Sequence, residues 1–233
     1  MTMRRSGSAL LLGFCLLSAL GTACSAGPER STATSVSTAK VAAPARAAGG
    51  PSTLARATFA GGCFWCVETA FEGLPGVRSV TSGYIGGQKL NPTYDEVSAG
   101  GTGHAEAVQV RYDPSAITYA ELLDLFWHNI DPTQADAQFC DHGSQYRSGI
   151  FYHDSTQKRL AEQSKRRLET APRRFTGAFV TEIVAATTFY PAEDYHQDFY
   201  KKNPVRYHSY RLGCGRDRRL EQLWGKPGRH GKA

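Results

Sequence analysis

Apolar and polar positions alternate over residues 54–60, so that Ala55, Ala57 and Phe59 share one face of an expected strand. Val77 to Ile85 reads as a second strand, and His104 to Tyr112, closed by Asp113-Pro114, as a third. Along the third, Glu106, Val108, Val110 and Tyr112 fall on one face and Ala105, Ala107, Gln109 and Arg111 on the other. The period then becomes helical. Thr118-Tyr119-Ala120-Glu121 has the form of a capping box, and Leu122, Leu125, Phe126 and Ile130 follow along one stripe. After a loop at 131–145, a strand is expected at 147–153, and Asp154 or Ser155 caps a polar amphipathic helix reaching about Thr170. Phe179 to Thr188 is β-rich, and Pro191 takes the first position of a short helix at 192–200. Beyond Pro204, Tyr and Arg recur without clear period. The pattern predicts an α+β fold, a sheet covered by helices on one side with a long irregular C-terminal tail wrapped over it.

The first 53 residues carry no such pattern. Arg4 and Arg5 precede an apolar run from Ala9 to Leu20, too short to span a bilayer comfortably, and residues 1–24 are expected to be an export signal. Leu20-Gly21-Thr22-Ala23-Cys24 resembles a bacterial lipobox, in which Cys24 would be lipidated, with Leu one place early and Gly21 in its slot. Gly21-x-Ala23 also suits ordinary cleavage before Cys24. Residues 25–53, rich in Ser, Thr, Ala and Pro, cannot bury enough surface to offset their ordering entropy and read as a flexible linker. As a coil such a linker spans roughly 30 Å. The expected product is an exported protein, periplasmic or membrane-tethered as a lipoprotein, with its folded domain in 54–233.

Net charge changes the picture little. Of the +6 total, residues 1–50 hold five Lys/Arg against one acidic residue, leaving 22 against 20 beyond them, or +2. That near-neutral domain argues against a nucleic-acid binder. The cluster Lys165-Arg166-Arg167, with Arg173 and Arg174, reads as a solvated helix face.

Candidate chemistry centres on Gly61-Gly62-Cys63-Phe64-Trp65-Cys66-Val67-Glu68. Two glycines permit a tight turn between the first strand and a helix of about three turns that Gly73 and Pro75 end. A thiol at that helix N-terminus, Cys63, is expected to have a lowered pKa. The bland reading is a small buried hydrophobe. Glu106 shares its strand's hydrophobic face, where desolvation would raise its pKa and suit it to general-acid work; the competing reading is a carboxylate that reaches solvent past its neighbours. Tyr94 is held by the turn Asn91-Pro92-Thr93, and Asp141 to Arg147 gathers an acid, an imidazole, a phenol and a guanidinium. His128, His196 and His208 read as packing or surface residues. Cys63 and Cys66 form half a zinc site at most, since no second ligand pair follows at the right spacing, and no metal is expected.

Taken together, Gly62-Cys63-Phe64-Trp65, Gly83-Tyr84, Asn91-Pro92-Thr93-Tyr94, Gly103-His104-Ala105-Glu106-Ala107-Val108, Asp141-His142-Gly143, Gln145-Tyr146-Arg147-Ser148 and Phe189-Tyr190-Pro191-Ala192-Glu193 closely resemble the A-type peptide methionine sulfoxide reductases. The resemblance covers nearly all of residues 56–224, in the family's order. It implies an α/β-plait (ferredoxin-like) core and reduction of methionine-S-sulfoxide, free or in proteins, without a cofactor. It further implies that Cys63 attacks the sulfoxide sulfur and Glu106 protonates the oxygen. Tyr94 and Tyr146 would hydrogen-bond that oxygen, Phe64 and Trp65 would cradle the methyl group, and Asp141 would order the site through water. A second thiol must then resolve the Cys63 sulfenic acid: Cys214, flanked by glycines on the tail, ranks first, Cys66 second and Cys140 third. Many relatives carry Gly at the Cys66 position. A thioredoxin-like dithiol would restore the enzyme, which is expected to be a monomer. The rival readings are a thiol-disulfide oxidoreductase using Cys63 and Cys66, and a surface lipoprotein binding peptides on an aromatic patch.

Overall fold

A computed structural model describes residues 53–226. The expected export segment with Cys24, and all but the last residue of the expected linker, lie outside the described residues. The chain runs β1 (Ala55–Gly61), α1 (Phe64–Phe71), β2 (Val77–Ile85), α2 (Tyr94–Ser98) and β3 (Ala105–Tyr112). There follow α3 (Tyr119–Trp127), β4 (Ala137–Gln138), β5 (Asp141–His142), a 3-10 turn (Ser144–Tyr146), β6 (Ser148–Tyr152) and α4 (Ser155–Thr170). It closes with β7 (Glu182–Ala185), β8 (Tyr190–Pro191), α5 (Phe199–Lys202), α6 (Pro204–Gly213) and α7 (Arg216–Trp224). The fold is α+β, built on a mixed six-stranded sheet in the order β7-β6-β1-β3-β2-β8.

All neighbours in that sheet are antiparallel except β6 and β7. Phe59 of β1 lies opposite Val108 of β3 and Ile150 of β6. Because β1 is paired on both edges and covered on both faces, Thr58 and Ala60 are as buried as Ala57 and Phe59. On one face, Phe59, Val108, Val110 and Ile150 pack with Val67 and Phe71 of α1, Leu122 and Phe126 of α3, and Ala161 of α4. The Phe59 ring stacks 5.1 Å from both Phe71 and Phe126, and burying each such side chain contributes about 2–3 kcal/mol. The opposite face carries a smaller cluster of Ala60, Ala105, Ala107 and Phe151 beneath Ala186 and Phe189.

Local signals set several ends. Thr118 and Glu121 form the capping box of α3, and Asp154 caps α4 by accepting from Gln157 N–H. The helix α1 is shorter than expected, because Glu72 is already extended and Gly73 left-handed. Pro191 does not start a helix. It pairs with Gly83 at the sheet edge, where a missing N–H is tolerated, and a Cβ at Gly83 would stand 2.3 Å from the Tyr190 carbonyl oxygen.

The C-terminal region is helical rather than irregular. Its buried positions are few and not purely apolar: Phe199 and Tyr207 against Cys66, Arg216 against the end of β1, and Leu223. An apolar period is therefore hard to see in the sequence.

Candidate active site

The turn between β1 and α1 is fixed from outside. Gly62 has φ +80°, and a Cβ there would come within 2.5 Å of Gln138 Cβ. Gln138 cannot retreat, since its amide exchanges hydrogen bonds of 2.9 and 2.7 Å with the Asp131 backbone. Cys63 is the N-cap of α1 and only 7% exposed. Cys66, three residues on, lies beside it, as an N3 residue does, and the two thiols hydrogen-bond.

That pairing corrects the expected electrostatics. Burial pushes the Cys63 thiol up, and the neighbouring Cys66, Glu106 and Asp141 add to the effect. Cys66 is instead lowered to about 6 by the hydrogen bond from Cys63, against its own burial and with help from the Arg216 and Arg211 guanidiniums. The buried pair releases one proton readily and shares the other.

Glu106 lies under the same helix end. It is 2% exposed, which excludes a carboxylate reaching solvent, and its Oε2 accepts the Phe64 N–H at 3.0 Å. Burial raises its pKa to about 8, with Asp141 and Cys66 adding and the Phe64 N–H opposing. At neutral pH the carboxyl therefore carries its proton.

Tyr94 and Tyr146 both have their phenols raised, first by burial and then by the Glu106 charge; Cys63 acts on both, and Tyr94 is pushed to about 12. Asp141 acts on Cys63, Cys66, Glu106 and Tyr146. It accepts a short hydrogen bond from Tyr210, and its own pKa is raised by burial. The structure thus brings Cys63, Cys66, Glu106, Tyr94, Tyr146 and Asp141 within one electrostatic neighbourhood.

Phe64 and Trp65 meet an aromatic cluster centred on His196. Trp65 Nε1 donates to His196 Nδ1 at 3.1 Å, and the His196 ring lies 4.3 Å from Tyr94 and 4.9 Å from Phe64. Trp65 also stacks on Phe199 at 3.6 Å and meets Tyr210 edge-on.

Four supporting residues escape a residue-by-residue reading of the sequence: His196, Glu193, Tyr210 and Arg216. Glu193 accepts from Tyr84 Oη and from the Tyr94 N–H, each at 2.8 Å, and so clamps Tyr94. The buried Arg216 donates to the Gly61 and Asn129 carbonyls. Only the Glu193 motif gave a sign in the sequence.

Cys140 and Cys214 are joined in a disulfide, while Cys63 and Cys66 are free thiols. Cys140, Asp141 and Cys214 bring two sulfurs and a carboxylate within 4.8 Å of one another. With the sulfurs joined, this group offers a metal no thiolate.

A buried pair of free thiols beside a buried carboxyl, with a second cysteine pair joined as a disulfide next to Asp141, defines a thiol-dependent oxidoreductase. The family model described as peptide methionine sulfoxide reductase matches residues 55–227. The chain is 53% identical over 169 residues to peptide methionine sulfoxide reductase MsrA of Bacillus subtilis, covering 72% of this chain and 95% of that one. It is 51% identical over 170 residues to the protein of that name from Bacillus licheniformis, covering 73% and 93%. Methionine sulfoxide reductase A of Corynebacterium diphtheriae superposes with a TM-score of 0.60 at 36% identity, covering 67% of this chain and 78% of that one. The reduced form of Mxr1 from Saccharomyces cerevisiae gives 0.62 at 32% identity, covering 67% and 89%. The chain belongs to the peptide methionine sulfoxide reductase family.

Proposed function

We propose that the protein reduces methionine-S-sulfoxide, free and in oxidised proteins, by the following route. The observation that carries it is a buried Glu106 whose Oε2 accepts the first N–H of the helix whose N-cap is Cys63. The sulfoxide oxygen lies between Glu106, Tyr94 and Tyr146, and its methyl group lies against Phe64 and Trp65. The hydrogen-bonded Cys63–Cys66 pair holds one proton between its two sulfurs, and as Cys63 Sγ attacks the sulfoxide sulfur that proton stays on Cys66. Glu106 protonates the oxygen in the same step. Methionine leaves with two more electrons, and Cys63 becomes a sulfenic acid. Asp141 positions water at the rim.

Cys66 is hydrogen-bonded to Cys63, and this adjacency supports condensation with Cys63 and loss of water as the first resolving step, ahead of Cys214, which ranked first on the family resemblance. Cys214 and Cys140 then take over the disulfide by exchange. An external dithiol of thioredoxin type reduces it. The strand order β6-β1-β3-β2, with α1 and α3 on one face, supports reading the core as an α/β plait. Residues 1–24 support an export signal, Cys24 as a lipid site and residues 25–53 as the linker, with action outside the cytoplasm. No helix among the described residues is long and apolar enough to cross a membrane.

The test is turnover of a methionine-S-sulfoxide peptide with dithiothreitol. Cys63→Ser should abolish it, and Glu106→Gln should lower it by about 10²-fold or more. Disulfide exchange on a model client by wild type, without sulfoxide turnover, would sink the proposal.

A further inference from the structure

The Cys140–Cys214 disulfide is asymmetric. Cys140 is exposed and Cys214 half-buried. The Cys140 backbone N–H points at Cys214 Sγ, 3.2 Å away. On the other sulfur, Cys140 Sγ lies 3.8 Å from an Asp141 carboxylate oxygen. Cys214 also lines a cleft of about 390 Å³ with Phe139, Gly215, Arg218 and Arg219. Arg219 is tied to Asp131 at 2.8 Å. Arg218 lies over Gly215, where its Nη2 would stand 3.3 Å from an added Cβ, and it has no ion-pair partner among the described residues. Cys214 falls between the end of α6 and the start of α7, whose dipoles oppose, so these local groups decide its electrostatics.

When a thiolate attacks a disulfide, the three sulfurs come into line and negative charge sits mainly on the two outer ones. The sulfur beside a carboxylate is best placed at the centre. The sulfur that accepts an N–H and lines the same cleft as Arg218 is best placed to leave. We propose that the external reductant attacks Cys140 Sγ and that Cys214 departs as the thiolate, which makes Cys140 the port through which electrons reach the enzyme.

The exchange balances. The reductant's thiolate forms a bond to Cys140 Sγ as the Cys140–Cys214 bond breaks, and Cys214 carries away the electron pair. The reductant's second thiol then displaces Cys140 and leaves oxidised, so that two electrons have entered the pair. Resting on the proposed reductase cycle, the released Cys214 is the thiol that next meets the oxidised Cys63–Cys66 pair. Asp141 accepts a hydrogen bond from the Cys140 thiol and keeps it neutral. Cys140 then closes the bond to Cys214 and returns Cys63 and Cys66 to thiols.

The test uses the full-length oxidised protein and needs no sulfoxide, so its outcome is independent of whether the protein turns over that substrate. A short pulse of glutathione is quenched with N-ethylmaleimide, and the adducts are mapped by peptide mass spectrometry. Glutathione on Cys140 with maleimide on Cys214, in about tenfold excess over the reverse pattern, is the expected result. The reverse pattern, an even split, or purified oxidised protein lacking the Cys140–Cys214 bond would overturn the proposal. Arg218→Ala should slow reduction by dithiothreitol and by glutathione alike, by about threefold to tenfold, through loss of leaving-group stabilisation. Slowing with glutathione alone would assign Arg218 to binding the reductant's carboxylates and overturn its role at Cys214.

Discussion

Two buried groups with displaced pKa values give the site a pH window. Glu106 rises from the ordinary 4.5 to about 8, first because burial penalises its charge, and Cys66 falls to about 6 through its bond from Cys63. Activity with dithiothreitol should therefore rise as the thiol pair loses its first proton and fall as Glu106 ionises, which a kcat/KM profile would show as a maximum between about pH 6 and pH 8. Glu106 also makes folding pH-dependent. Between the two values the unfolded chain has released the proton that the folded protein retains. Stability present below about pH 4.5 is thus lost as pH climbs towards 8. Glu106→Gln keeps an oxygen for the Phe64 N–H and removes the charge. It should unfold at higher urea concentration than wild type at pH 8, with the difference vanishing near pH 4, while its activity is lost. A variant no more stable than wild type at pH 8 would show that Glu106 is ionised there without penalty.

The β1–α1 turn is where element-level constraints meet the chemistry. Gly62 needs both a positive φ and the absence of a Cβ, since Gln138 is held against it. Gly62→Ala should cost about 2–4 kcal/mol in chemical denaturation and lower kcat by displacing Cys63 relative to Glu106. Unchanged stability would mean that Gln138 moves aside freely. The same turn is held from the C-terminal side, where Arg216 of α7 donates to the Gly61 carbonyl. Much of this element-level description was legible in advance. The α3 capping box, the α4 N-cap and the β3 pattern are local signals that need no partner to be recognised. The three C-terminal helices were not legible, because α6 and α7 show few apolar positions and are held by single anchors such as Tyr207, Arg216 and Leu223. Pro191 was misread for a related reason: proline suits both a helix start and a sheet edge, and only the partner Gly83 selects the edge.

Across the whole molecule, the Cys140–Cys214 bond joins residues 74 apart in sequence and fastens the α6–α7 junction to the loop carrying Asp141. A cross-link closing a loop of that size stabilises a fold by about 4 kcal/mol in the chain-entropy view. The double variant Cys140→Ser/Cys214→Ser should lose up to that amount in denaturant unfolding and match wild type treated with reductant. Equal stability of the oxidised wild type and the variant would mean that the bond closes at no gain to the fold. The family, the strand and helix signals, the thiol at a helix start and the acid on a hydrophobic face were all readable from the sequence alone, because each depends on residues close together or on ordered motifs. Tertiary structure alone decided that Cys214 pairs with Cys140. It also decided that Cys66 rather than Cys63 is lowered, and that His196, Glu193 and Arg216 support the site. These outcomes depend on charges and contacts that α6, α7, their junction and the 192–197 segment supply to residues between 74 and 155 positions earlier in the chain. No local pattern encodes them, since the field at a buried thiol is a sum over whatever the fold brings near it.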